Sequence, residues 1–402
     1  MKNFILILKV TGSIMLLSFG IALLNSCESS TADDLSVQRP VPDPVSEITP
    51  ESVARMISGL PLTIDHVQEV WNGVNASSAN GYDEEYPFKN LFEYPGTGIG
   101  DEETGSLSRA GSSATMSDAT SPAFRDLFFA AGVSRLTRSV FSELSESGLQ
   151  IYWPYSGNWD QKTLPVITFC PDEPRDKNVG FSRREHTDGS WEIEEIMVDE
   201  AFAASHPVWV VNYNTDAEAL TPQMMEKMGK VSNASSSDIP TKATRNFRTL
   251  RLKEFKAHRQ YDPWLSGGSE FFIKTGALKA FTADVASDMK YYKPEITDLM
   301  IKVKRSQVGK ALRYNTILFS DWSDQLDECA FMLTEDDGGK MTSWKSSGLV
   351  KIKSKSYGFE VEIPYHRNDD IVWRGKLSAS YFQRYNDVPN RFGDVSVTFT
   401  FN

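Results

Sequence analysis

The chain has 402 residues, 40% of them hydrophobic and 24% charged, with a formal net charge of −12. These are globular proportions, and the length allows two or three domains with cores of their own. The acidic balance disfavours nucleic acid as a partner and direct adhesion to anionic lipid headgroups.

Lys2 and Lys9 lie in or beside a short basic start, and Phe4 to Leu24 is an apolar run. Leu24-Asn25-Ser26-Cys27 follows, and the sequence then turns polar. Basic start, apolar middle and a small residue before a cut are the order of a secretory signal. By length alone residues 4–24 would nearly serve as a transmembrane helix. The terminal position, the lysines and the Leu-Asn-Ser-Cys ending favour a processed signal instead. With its cysteine at the cleavage position, the segment resembles a bacterial lipoprotein signal. In that family the cut falls just before the cysteine, here Cys27, and its thiol carries the lipid. Asn25 departs from the small residue usual at its place. The resemblance implies a lipid-anchored protein of the bacterial outer membrane, periplasmic or surface-exposed. Acids soon after the lipidated cysteine favour surface export in Bacteroidota-type bacteria, and Glu28, Asp33 and Asp34 form a loose version of that signal. Loss of residues 1–27 leaves 40 basic residues against 54 acidic ones, a net charge of −14. Attachment must then come from the lipid rather than from a basic patch.

Residues 28–48, rich in Ser, Asp and Pro, read as an extended tether. Thr49-Pro50-Glu51 is a helix start: a capping hydroxyl, a proline at the first helical position and an acid at the positive end of the dipole. Gly59 and Pro61 end that helix. Thr63 can cap a second one, in which Ile64, Val67, Trp71 and Val74 recur at helical spacing. His66 falls off this stripe and reads as solvated. Residues 75–120 read as loop, with a solvated acidic run at Asp83, Glu84 and Glu85, for which a cation site is the less frequent alternative. Gly96, Gly98 and Gly100 lack the preceding strand and the Lys-Ser/Thr of a phosphate loop. Ser121-Pro122 opens a further helix with a broad apolar face.

From Gln150 the pattern becomes that of strands: Ile151 to Trp153, Val166 to Phe169, Trp191 to Val198 and Val208 to Tyr213. Asp188-Gly189 marks a hairpin. The runs Ile151-Tyr152-Trp153-Pro154-Tyr155-Ser156, with Trp159-Asp160, and Pro207-Val208-Trp209-Val210-Val211-Asn212 resemble a small sheet module of envelope lipoproteins of Bacteroidota. That likeness covers residues 50–215 at most and brings no known chemistry. Residues 221–243 contain one helical piece, Pro222 to Met228, and then a Ser/Asn/Asp-rich linker. The expected organisation is a signal (1–27), a tether (28–48), a helical then small-sheet α+β domain (49–220), a linker (221–243) and an all-β domain (244–402).

The last part alternates in short strands: Thr249 to Ala257, Glu270 to Lys274, Leu299 to Lys304, Arg313 to Phe319, Cys329 to Leu333, Gly348 to Ile352, Phe359 to Ile363, Ile371 to Tyr381 and Asp394 to Phe401. Such spacing predicts a two-sheet sandwich. The opening strand, Asp262 and Gly267-Gly268 before Glu270-Phe271-Phe272-Ile273, and Glu335-Asp336-Asp337-Gly338-Gly339 resemble a C2-type sandwich over about 150 residues. In C2 domains, acids on loops at one end of the sandwich hold calcium. Carried over, that implies a candidate calcium set of Asp262, Glu335, Asp336 and Asp337, with Asp262 and Asp336 best matched. Calcium takes six to eight oxygens from such groups. The competing reading is ordinary solvated turns, and no cofactor is firmly implied.

Other chemistry is thinly supported. His186, His206, His258 and His366 are dispersed without zinc spacing. Ser306-Gln307-Val308-Gly309-Lys310 comes near Ser-x-x-Lys, with its lysine one residue too far, and lacks the partner motifs. Asp369 and Asp370 adjoin and would point to opposite sides of a strand. Tyr152, Trp153, Tyr155 and Trp159 are candidate ligand-binding aromatics for sugar rings, or else core. Cys170 and Cys329 read as two buried thiols rather than a disulfide scaffold. The resulting expectation is a lipid-anchored, non-enzymatic binding or interaction module with an unknown envelope protein or glycan as partner. The rival class is a cell-surface hydrolase acting on glycan or peptide.

Overall fold

A computed structural model describes residues 47–91, 123–133, 143–173, 175–215, 219–233 and 247–402. Cys27, the signal, and all but the end of the tether lie outside the described residues, as does the glycine series at 96–100. Residues 39–402 form one compact unit, and every described residue belongs to it. The chain is mixed α/β, with a mostly β C-terminal region of several sheets.

Helix α1 (Pro50–Ser58) starts as its sequence dictates: the Thr49 hydroxyl accepts from the Ser52 N–H, and the Ser52 hydroxyl accepts from the Thr49 N–H. The pair satisfies two donors that a helix start leaves unpaired. Helix α2 (Ile64–Ala79) buries Val67, Val70 and Val74, and Ile64 and Trp71 pack at the margin. His66 is spent on its own helix start, where Nδ1 accepts the Thr63 N–H at 2.9 Å. Helix α3 (Ala123–Val133) adds Phe124 and Phe128 to the same core.

Six strands form the first sheet: β1 (Glu85–Pro87), β2 (Leu149–Tyr152), β3 (Val166–Phe169), β4 (Lys177–Glu185), β5 (Trp191–Asp199) and β6 (Val208–Tyr213). Their order is β1-β2-β6-β3-β4-β5, antiparallel except for β3 beside β6. Asp188-Gly189 makes the β4–β5 hairpin, with Gly189 at φ +82°. Strand β6 is apolar at successive positions because both its faces are covered. Trp209 and Val211 meet the helices, whereas Val208 and Val210 meet Trp264 and Leu265 from the C-terminal region.

Helix α4 (Pro222–Asn233) opens the stretch expected to be a linker, and Glu226 docks it by accepting from the Asn315 N–H at 2.8 Å. Residues 234–246 lie outside the described residues. Beyond them come β7 (Arg248–Ala257), β8 (Ser269–Ala277), β9 (Glu295–Val303), β10 (Leu312–Trp322), β11 (Leu326–Glu335), β12 (Met341–Ile352), β13 (Lys355–His366), β14 (Asp370–Ser378), β15 (Pro389–Phe392) and β16 (Val395–Phe401). One sheet runs β10-β7-β16-β15; the other runs β13-β12-β11-β8-β9, with β14 also on β11. Both sheets feed one core that includes Leu252, Phe271, Phe331, Val397 and Phe399.

Strand β7 shows how sequence sets this packing. Leu250 and Leu252 face the core, yet so do Phe255 and Ala257, which have the opposite parity. The switch is a bulge: Thr398 pairs with Glu254 and Phe399 with Leu252, so β7 spends an extra residue at Lys253. The expected strand Ile371 to Tyr381 is shorter than its apolar run. Ser378 caps a short helix at Ala379–Arg384, its hydroxyl accepting the Tyr381 N–H.

Candidate cation sites on a buried polar seam

The first sheet and the C-terminal strands meet along a line of charged and polar side chains. Asp83, Glu84 and Glu85 stand at its start, and all three are buried. This corrects the expectation of a solvated run, because each acid has a specific partner. Asp83 Oδ2 accepts the Gly268 N–H at 2.7 Å and lies 3.6 Å from Lys302 Nζ. Glu84 accepts from the Tyr155 N–H and the Ser156 hydroxyl, and Glu85 from the Ser77 hydroxyl. Burial, and then Asp83, push the Glu84 carboxyl up.

On the C-terminal side, Lys302 of β9 sits directly across the ladder from Glu270 of β8 and contacts its carboxylate. Arg305, next along, holds Glu200 through two hydrogen bonds of 2.8 and 3.0 Å. It also donates to the Asp262 carbonyl at 2.7 Å. The Arg305 bond holds the Glu200 carboxyl below its ordinary range, with burial opposing. Tyr155 adds its hydroxyl to Glu200 at 2.8 Å; burial first, and then that contact, raise its pKa to about 12. Tyr152 ends in the same region, its buried hydroxyl without a hydrogen-bond partner. A cavity of about 360 Å³, lined in part by Tyr82, Gln223 and Tyr314, reaches Lys302 from outside.

The four acids proposed from the C2 resemblance do not form one set. Asp262 and Glu335 converge with Glu270, their ligand oxygens all within 4.8 Å of one another. Asp336 turns the other way and joins His366 and Asp369. Strand alternation separates the two neighbours at the end of β11: Glu335 is fully buried in register with Phe271, while Asp336 meets His366 Nδ1 at 2.9 Å. Asp337 is exposed and joins neither group; burial, and then Asp262, Asp370 and Asp336, raise its pKa.

The two groups differ in satisfaction. Asp336 accepts the Gly338 N–H, and Asp369 accepts the His366 N–H, both at 2.9 Å. Burial opposes ionisation of Asp336, but the Gly338 N–H, Asp369 and His366 outweigh it and hold the carboxyl low. Asp369 is pushed up to about 6 by burial and by Asp336. By contrast, Glu335 is served only by the neighbouring Asp262 carboxyl and Ser269 hydroxyl, and no backbone N–H reaches it. Burial, and then Asp262, push the Glu335 carboxyl up to about 10.

Of the candidate aromatics, Tyr152 and Tyr155 reach the seam with their hydroxyls, and Trp153 and Trp159 belong to the core under the helices. Tyr152, Trp153 and Trp159 are buried, with Trp153 set edge-on to both Trp159 and Trp209 at 5.3 and 5.8 Å. These rings are occupied by protein contacts, and only Tyr155 is partly exposed. Cys329 is buried in β11, whereas Cys170, expected to be buried as well, is only partly so, beside Ser266; neither is in a disulfide. Sequence reading missed Glu270, Lys302, Arg305 and Asp369 as members of these groups. Among the described residues no helix is long and apolar enough to cross a membrane. No family model matches the chain, and no curated protein matches it.

Proposed function

We propose that the protein is a lipid-anchored component of a bacterial outer membrane whose folded body is a non-enzymatic binding or interaction module, with a C2-like sandwich in its C-terminal half. The observation that carries the anchor is the apolar run ending in Leu24-Asn25-Ser26-Cys27, followed by about twenty polar, proline-bearing residues before the Thr49 cap. That order gives an attachment point, a spacer and a body. The binding role is supported by how the polar groups are used: Lys302 pairs with Asp83, Arg305 with Glu200, and Glu84 accepts from the Ser156 hydroxyl, so these charges serve contacts inside the fold. The C2-like assignment is supported by two sheets over one core, with Glu335 at the end of β11 and Asp262 in the loop between β7 and β8. The partner by this reading is an envelope protein or a glycan.

Mass spectrometry of the native N-terminus tests the anchor. The expected species begins at Cys27 and carries acyl chains, and Cys27→Ala should move the protein from the membrane to the soluble fraction without changing its thermal transition. An unmodified Cys27, or residues 1–26 still attached, would overturn it.

A further inference from the structure

We propose that the cavity beside Lys302 is a binding site for one sugar acid, a single ring that carries a carboxylate and hydroxyl groups. The inference rests on the binding role proposed above and narrows its ligand.

The cavity measures about 360 Å³. That is the small end of the range of about 300–1,000 Å³ for ligand sites, so it suits one ring rather than an oligomer. Its walls come from distant parts of the chain: the end of α2, the start of α4, the residues after β9 and the start of β10. Bonds within the fold already hold those walls. Tyr82 donates its hydroxyl to the Ala219 carbonyl at 2.9 Å, Thr221 donates to the Asn80 carbonyl, and Glu226 accepts the Asn315 N–H. A site built in advance spares the ligand the cost of ordering it.

Charge selects an anion. The chain has a net charge of −12, yet Lys302, Lys304 and Arg313 line this cavity and no acid does. Lys302 is spent on Glu270 and Asp83. Arg313 is exposed and reaches Glu254 only at 3.9 Å. Lys304 has no ion pair among the described residues; Glu84 feels its charge without touching it. Two cations are therefore left for a ligand, and a carboxylate takes up such groups in strong hydrogen bonds.

The uncharged groups select hydroxyls beside that carboxylate. The Gln223 amide and the Tyr314 hydroxyl line the same cavity, and neither makes a hydrogen bond among the described residues. The seam has the opposite character, since Arg305 and Lys302 are paired there inside the fold. Unspent cations beside an unspent amide and phenol match a ligand with both an acid and hydroxyls.

The test titrates the full chain in detergent with sodium glucuronate, glucose and sodium acetate, read by calorimetry. One glucuronate should bind per chain, with glucose and acetate each about tenfold weaker or more. Raising sodium chloride from about 20 to about 200 mM should weaken glucuronate several-fold. Lys304→Met should weaken it about tenfold and Tyr314→Phe a few-fold. Lys345→Met, which removes an exposed charge paired with Glu362 on β12 and β13, should change nothing. Each variant must show a cooperative thermal transition; if Lys304→Met does not, Lys304→Gln and the salt dependence decide. No heat with glucuronate at about 50 mM would overturn the site. Acetate as tight as glucuronate would overturn the sugar-acid class in favour of a bare anion. Glycan bound by the Lys304→Met chain as tightly as by the wild type would overturn this site and leave the binding role standing.

Discussion

Arg305→Met is the substitution that best probes the seam. The methionine keeps the apolar stem of Arg305 and removes its guanidinium. Arg305 is 8% exposed in its side chain, and it donates to both Glu200 oxygens and to the Asp262 carbonyl. Breaking a fully buried ion pair costs about 3–5 kcal/mol, and a hydrogen bond to a charged group contributes about 1.5–3 kcal/mol. Glu200 is 39% exposed and keeps its contact with the Tyr155 hydroxyl, so water can replace part of what it loses. The expected loss therefore lies toward the lower range, about 2–3 kcal/mol. Urea unfolding should show it as a lower midpoint with an unchanged slope. Glu200→Gln and the double variant complete a cycle whose coupling should be about 1–2 kcal/mol. The pH dependence has a fixed sign. Glu200 is held below its ordinary pKa, so the stability it contributes is present above the usual carboxylate range and is lost as pH falls through its folded value. The gap between wild type and Arg305→Met should therefore be full at pH 7 and narrow below about pH 4. Additive single losses, or a gap that stays constant down to pH 3, would refute the pairing.

Two further substitutions test local packing. Gly268→Ala would set a methyl 2.5 Å from the Val303 carbonyl oxygen and 2.9 Å from Lys304 Cα, both backbone atoms that cannot turn aside. It should cost about 1–3 kcal/mol in urea unfolding, whereas Gly157→Ala, with open space around it, should be near neutral. Trp153→Ala should cost about 3–5 kcal/mol, because the ring is buried against Trp159 and Trp209. A Trp153→Ala protein of unchanged melting point that had lost glycan binding would return this ring to the ligand-binding reading.

How much was legible depended on the distance over which each feature is decided. The Thr49 cap, the α2 stripe and the Asp188-Gly189 hairpin are settled within a few residues, and the chain forms them where the local pattern places them. The bulge in β7 was half-visible: Leu250, Leu252 and Phe255 break parity in the sequence, but only pairing with β16 shows which residue is extra. The acidic run was illegible because its partners are remote. Asp83 meets Gly268 across 185 positions, and no local composition announces such a contact. Glu335 and Asp336 were closer to reach. Ending β11 at Leu333 hides their alternation; carrying the strand two residues further would have sent Glu335 inward beside Phe271 and Asp336 outward. His366 and Asp369 have no metal spacing in sequence because β13 and its turn bring them to Asp336 from another strand.

The composition of the seam bears on how the two halves are held. Apolar contact already exists there, with Trp264 and Leu265 against Val208 and Val210. Such contact is non-directional and would tolerate sliding of one surface on the other. The polar bonds are directional: Asn212 donates to the Leu265 and Ser266 carbonyls at 3.1 and 2.9 Å, Asp83 takes the Gly268 N–H, and Arg305 spans Glu200 and the Asp262 carbonyl. Each fixes the loop at 262–268 from a different strand or turn. Buried ion pairs lose in desolvation much of what they gain by attraction. These groups therefore serve less to raise stability than to set one register between the first sheet and the C-terminal strands. Asp262 and Glu335 are held at that register, and the geometry of their oxygens depends on it.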